Sequence, residues 1–199
     1  NSRSNLEWYT HIFEVDGFDI DILPSYFTLN NHRWDLKEQA HINYSTNCFL
    51  IEDFLLTRKE QFIEIKGQVS KLPEDRLNID VRNFDLSDVA VLLAPDNTIT
   101  GRANISGQIQ EALTDLKFSG ITDIKNLVID NREIGDMSFQ ADYDADKKSI
   151  NMLGDLFYAN KRTFKFKGDY LLDQPENSLD FKMDFNNTDI AVLNSFMDP

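Results

Sequence analysis

Cysteine occurs once in 199 residues, at Cys48, so the chain can form neither an internal disulfide nor a cysteine-based metal cluster. Proline (5) and glycine (8) are sparse, which excludes collagen-like and low-complexity architectures. Positive charge is short as well: Lys and Arg number 20 against 34 Asp and Glu, a formal net charge of −14. A chain of that sign repels phosphate backbones and anionic lipid head groups over roughly a Debye length, which argues against nucleic acid as a partner. No apolar run approaches the ~20 residues that a membrane helix needs, and Asn1-Ser2-Arg3-Ser4 opens without a signal-peptide pattern. The chain reads as an internal fragment of a longer protein whose anchor lies elsewhere.

What is present is hydrophobic residue, at 41%, with 15 phenylalanines, enough for a folded chain with a sizeable core. A repeat organises it. Phe84-Asp85-Leu86-Ser87-Asp88-Val89-Ala90-Val91-Leu92 returns as Phe185-Asn186-Asn187-Thr188-Asp189-Ile190-Ala191-Val192-Leu193. Upstream, Ile65-Lys66-Gly67 matches Phe166-Lys167-Gly168, and Pro73-Glu74 matches Pro175-Glu176. The two copies run roughly over 62–93 and 163–194, a period too long for helical solenoids, and the whole of 1–199 is expected to be a single elongated β domain.

Apolar and polar residues alternate along most of the chain, the signature of half-buried strands. Phe13 and Val15, then Phe18, Ile20 and Ile22, slip phase at Gly17, as at a turn or bulge. Trp34 and Leu36 follow a polar turn at Asn30-Asn31-His32, and Cys48 to Leu56 is more continuously apolar around Glu52-Asp53. The cleanest alternation sets Ile99, Gly101, Ala103, Ile105, Gly107 and Ile109 on one face of a strand roughly 40 Å long. Met137 to Tyr143, Ile150 to Tyr158, Phe164 to Leu172 and Leu179 to Phe185 complete about a dozen strands, with turns placed at Asn131-Arg132-Glu133 and Asn160-Lys161-Arg162. Ser87-Asp88 reads as the N-cap of a short helical turn. The fold class expected is all-β, an extended antiparallel or mixed sheet with at most short helical turns.

Catalytic patterns are missing. His11, His32 and His41 lie on separate strands or turns without metal-ligand spacing, and Asp142-x-Asp144-x-Asp146 lacks the glycine and distal glutamate of a calcium loop, so it reads as a hairpin turn. No metal and no cofactor is expected. Of the apolar faces, ordinary core filling and a cargo-lining surface explain the pattern equally well.

The sequence resembles the TamB family, AsmA-related translocation and assembly proteins of Gram-negative envelopes. The resemblance is carried by Trp34-Asp35-Leu36 after a polar turn, Ile51-Glu52-Asp53-Phe54-Leu55-Leu56, Phe62-Ile63-Glu64-Ile65-Lys66-Gly67, Pro73-Glu74-Asp75, Phe84-Asp85-Leu86-Ser87-Asp88 and Ile99 to Gly107, with Glu133-Ile134-Gly135-Asp136-Met137 further on. It implies a non-enzymatic periplasmic segment, a sheet folded like a taco over an apolar groove that conducts phospholipid or other hydrophobic cargo between the membranes. It also implies an Omp85-type outer-membrane partner and an inner-membrane anchor, both engaged through parts outside this chain. On this reading Ile105, Ile109, Phe139, Ile150, Met152, Leu156, Phe164, Phe166, Phe181 and Met183 line the groove. The alternative is a chaperone-like module that guides unfolded outer-membrane proteins by strand augmentation.

Overall fold

A computed structural model describes residues 4–12, 17–114, 116–173 and 178–186. Phe13 and Val15, Pro175-Glu176 and the second signature from Asn187 onward lie outside the described residues. The all-β expectation holds: the strands form one open antiparallel sheet and helix is nearly lacking. In chain order they are β1 (Ser4–Asn5), β2 (Trp8–Ile12), β3 (Gly17–Ile22), β4 (Ser25–Leu29), β5 (His32–Leu36), β6 (Ala40–Ser45), β7 (Cys48–Arg58), β8 (Gln61–Ser70) and β9 (Leu77–Asp85). After α1 (Ser87–Leu93) come β10 (Ile99–Gln110), β11 (Lys117–Ile129), β12 (Arg132–Asp144), β13 (Ser149–Tyr158), β14 (Lys161–Leu171) and β15 (Leu179–Phe185).

Contacts divide the chain into two compact units, 1–84 with 105–119 and 85–104 with 120–199. The first copy of the repeated strand pair, β8–β9, belongs to the first unit and the second, β14–β15, to the second unit.

In the first unit β7 is a fork. Its opening residues, Cys48 to Glu52, pair with β6, whereas Leu56 and Thr57 pair with β5. Between these stretches Glu52 and Asp53 together oppose Lys66 of β8, a bulge in which Asp53 takes φ 57°. The extra residue returns Ile51 and Phe54 to the same face, which is why this strand reads as continuously apolar. Ile51, Val69 and Leu77 are the buried cluster here, with Ile42, Phe49, Phe54, Ile65 and Ile109 packed against it. Trp34 is fully buried and stacks on Phe84 at 5.6 Å.

In the second unit Leu127, Ile129, Ile134 and Leu156 form the buried cluster, joined by Leu86, Ile99, Ile124, Met137 and Phe164. The helix is shorter of a cap than expected. Leu86, not Ser87, stands at the N-cap and makes no side-chain cap bond. Asp85 instead accepts hydrogen bonds from the Ser87 hydroxyl at 2.6 Å and the Ser87 N–H at 3.1 Å, so the carboxylate two residues earlier ties down the helix start.

Three hairpins close in two-residue turns, and two of these fall one residue earlier than their polar triplets suggest. Asn30-Asn31, Asp130-Asn131 and Ala159-Asn160 all have positive φ at both positions, the geometry of a two-residue turn that matches strand twist. His32, Arg132, Glu133, Lys161 and Arg162 are already in strands. Glycine is spared for closer work. At Gly67 (φ 109°) an added Cβ would run into the Arg76 carbonyl oxygen, and at the repeat-equivalent Gly168 it would run into that of Asp180. The repeated glycine therefore lets the following strand approach where a side chain would block it.

On the polar face of β3 and β6, His41 Nδ1 lies 2.9 Å from Asp21 Oδ1 and Nε2 lies 3.5 Å from Asp19. The Asp21 hydrogen bond raises the histidine above its ordinary 6.5, and the same bond holds Asp21 below its ordinary 3.8. The histidine's contribution to stability is full below pH 6.5 and lost as pH rises through its raised folded value; the Asp21 contribution is present above 3.8 and lost in acid. The stability gap between wild type and His41→Asn, measured by urea unfolding, should therefore be larger at pH 5.5 than at pH 9; an unchanged gap contradicts the pairing. In the same assay Gly67→Ala should cost about 2 kcal/mol, whereas Gly107→Ala, whose Cβ would meet only the Ser119 oxygen at 3.5 Å, should change stability by less than about 1 kcal/mol.

Candidate functional site

The candidate site is one face of the four strands β12 to β15, and strand register assembles it. A two-residue turn closes β13 onto β14, and a four-residue turn from Ala145 to Lys148 closes β12 onto β13. Lys147 anchors the longer turn, donating to Asp144 through its backbone N–H at 3.1 Å and through its ammonium at 2.9 Å; the ammonium bond holds the Asp144 carboxyl below its ordinary range. Asp142 and Asp144 belong to β12, and only Asp146 of the aspartate triplet is in the turn.

With those turn lengths, cross-strand partners fall into four rows. Met137, Leu156, Phe164 and Phe185 form the first; Phe139, Gly154, Phe166 and Met183 the second. Ala141, Met152, Gly168 and Phe181 form the third, and Tyr143, Ile150, Tyr170 and Leu179 the last. Opposed residues share a face of an antiparallel sheet, so the sixteen positions make one surface without an ionisable group except the two tyrosines that close it at one end. The reverse face is charged, with Asp155 opposite Lys165 and Lys165 opposite Asp184.

Aromatic packing shapes the surface. The Phe166 ring lies over Gly154 and the Phe181 ring over Gly168, each occupying the place where a Cβ would stand. Phe164 stacks on Phe166 at 5.9 Å and meets Phe185 at 4.9 Å, and Phe166 meets Phe181 edge to face at 6.0 Å. Such ring pairs add about 1 kcal/mol each beyond the area they bury, and glycines beneath them are what the rings cover.

Eight of the ten residues expected to line a groove stand in these rows: Phe139, Ile150, Met152, Leu156, Phe164, Phe166, Phe181 and Met183. Their exposures differ. Leu156 is buried in the core cluster of its unit, with Phe164 packed against that cluster, while Met183 on β15 is 52% exposed. Phe139, Ile150, Met152, Phe166 and Phe181 are half-buried. Ile105 and Ile109 belong to the first unit, where both are half-buried and Ile109 packs on the Ile51–Val69–Leu77 cluster. Met137, Tyr143, Tyr170, Leu179 and Phe185 occupy the same rows, and the alternation that picks out their neighbours contains them too.

No family model matches this chain, and no characterised protein or solved structure is detectably similar to it. Among the described residues, no three His, Cys, Asp or Glu side chains are grouped so as to hold a metal ion. The face can offer dispersion contact and burial to an apolar ligand, and hydroxyl contacts at the tyrosine row. If the rows are built as described, Phe166→Ala should cost about 2 kcal/mol in urea unfolding, through lost ring contacts and an uncovered Gly154. Met183→Ala, at the exposed end of the same row, should cost less than about 1 kcal/mol.

Proposed function

We propose that this chain is a non-enzymatic segment of a TamB-like envelope protein and that the β12–β15 face carries hydrophobic cargo, phospholipid acyl chains foremost. The observation that carries the reading is the four-row apolar face, half open and free of carboxylates and cations, backed by a charged reverse face. Single exposed apolar residues are ordinary, but a contiguous patch of this kind marks a binding surface. An acyl chain of about a dozen methylenes gains about 10 kcal/mol when fully buried and about half of that against one face. The lower figure suits a surface along which cargo moves. The resemblance adds the setting: a periplasmic position, an inner-membrane anchor and an Omp85-type partner outside this chain, a groove formed by folding the sheet over, and a part in outer-membrane biogenesis.

One observation favours a second reading, in which unfolded outer-membrane strands dock by augmentation. On its far side β15 pairs with no strand among the described residues, and an edge of that kind can take an added strand.

The two readings separate by substitution. Phe139→Asp should reduce uptake of a fluorescent fatty acid by about tenfold or more, since the carboxylate must be desolvated against the acyl chain, while leaving binding of an unfolded strand intact. Met183→Pro, which removes a backbone donor from the edge strand, should reduce binding of an unfolded strand if strands are the cargo. Normal fatty-acid uptake by Phe139→Asp overturns the lipid reading.

A further inference from the structure

Among the described residues the strand pairing ends at β1, β2 and β15. Sheet edges are ordinarily blunted by shortness, charge or proline. Two of these are protected in that way: β1 is two residues long, and β15 carries Asp180, Lys182 and Asp184 along its length. β2 is not. Its residues, Trp8-Tyr9-Thr10-His11-Ile12, include no Lys, Arg, Asp, Glu or Pro, in a chain of which 27% is charged. Trp8, Tyr9 and Ile12 are 60%, 69% and 76% exposed. The backbone faces outward with them. Trp8, Thr10 and Ile12 stand opposite Ile22, Ile20 and Phe18 of β3, and next to them the Leu23 N–H donates to the Glu7 carbonyl at 2.9 Å. The odd-numbered residues of β2 thus turn their backbone groups toward β3, and by the alternation of an antiparallel ladder Trp8, Thr10 and Ile12 turn theirs to the side where β2 pairs with no strand among the described residues.

We propose that β2 pairs antiparallel with β2 of a second copy of this chain, about a two-fold axis at Thr10. The strand is complementary to its own reverse: Trp8 falls opposite Ile12 of the second copy, Thr10 opposite Thr10, and Tyr9 opposite His11. Aromatic with β-branched and Thr with Thr are favourable cross-strand pairs, and the two-fold axis supplies the first of them twice. The pairing also joins the Ile22, Ile20 and Phe18 side of one β3 to that of the other, so the apolar face runs on unbroken. Charge permits it. Asp19 and Asp21 of β3 are bonded to Asn43 and His41, and with two β2 strands between them the two sets of aspartates stand roughly 14 Å apart, beyond a Debye length of about 10 Å. The antiparallel direction carries the Glu7 side chains to opposite ends of the pair. Side chains such as Trp and Tyr bury about 150–250 Å² each, so two copies of Leu6, Trp8, Tyr9 and Ile12, each at least half exposed, bring together on the order of 1,000 Å², the lower limit for a specific interface. The inference does not depend on the apolar face of the second unit.

The test is sedimentation velocity of the full chain across a concentration series, with disulfide trapping to read the register. A reversible dimer is expected, with a dissociation constant on the order of 10 µM for an interface of this size. Ile12→Asp, which sets a carboxylate against Trp8 of the second copy, should weaken it by about tenfold or more. Met183→Asp, the same change of charge at an exposed apolar residue of the β15 edge, should leave it unaltered. In a Cys48→Ser background Thr10→Cys should cross-link two copies on oxidation, since hydrogen-bonded partners have Cα atoms about 5.5 Å apart. Tyr9→Cys in the same background should not, because its own counterpart lies on the longer diagonal. A chain that stays monomeric at about ten times that concentration overturns the proposal and leaves the edge to a strand of a different protein. So does a dimer that Ile12→Asp weakens no more than Met183→Asp does, or one in which Tyr9→Cys cross-links and Thr10→Cys does not.

Discussion

A slip of one residue in any strand pair of this protein would turn a whole apolar face to the charged side and bring the charged side in. Register is thus the constraint on which the structure depends, and the chain fixes it locally. Two-residue turns with positive φ at Asn30-Asn31, Asp130-Asn131 and Ala159-Asn160 set three hairpins. Asp130 adds a clamp, accepting from the Thr98 N–H at 2.8 Å and from the Asn97 amide at 2.7 Å, which pins the start of β10 beside that turn. Gly67 and Gly168 tolerate only backbone at a place where the next strand crosses close by. The bulge at Glu52-Asp53 then permits the one exception, a strand that changes partner midway without turning its apolar side chains outward.

Once register is fixed, the second unit divides its own apolar face. The row through Leu156 and Phe164 is drawn into the cluster with Leu127, Ile129 and Ile134. Most side chains of the rows beyond it stay half-buried, and three are exposed: Leu179 at 61%, Met183 at 52% and Tyr170 at 37%. Under the proposed reading, stability and binding fall largely to different residues of one surface. Core contacts at one end hold the sheet in place, while apolar side chains further along remain able to meet a ligand. Phe166 and Phe181 lie between the two sets: each covers a glycine and stays half-buried.

Much of this was legible as alternation. Met137 to Tyr143 and Phe164 to Tyr170 announce their inward positions by period two alone, and Ile99 to Ile109 does so across a whole strand. Three features were not legible, each for a physical reason. Turn positions shifted by one because Asp130 and Ala159, rather than glycine, adopt the left-handed conformation there. Ser87 resembled a cap because a serine before an apolar run is the usual signal, but Asp85 was near enough to take both of its donors. Leu156 looked equivalent to Met152 along β13, and only the long-range approach of β11 made one a core residue and left the other half open. The aspartates at 142, 144 and 146 read as a hairpin turn, but two of the three lie in β12 and only Asp146 is in the turn.

The central claim is that apolar rows of β12 to β15 meet hydrophobic ligand while the cluster behind Leu156 does not. The most direct measurement is methyl NMR of isoleucine, leucine and methionine side chains in the presence of a spin-labelled fatty acid. The account predicts selective broadening of Ile150, Met152, Leu179 and Met183 methyls, with Leu127, Ile129 and Ile134 unaffected. Uniform broadening across both sets, or none at the row methyls at saturating fatty acid, would contradict it.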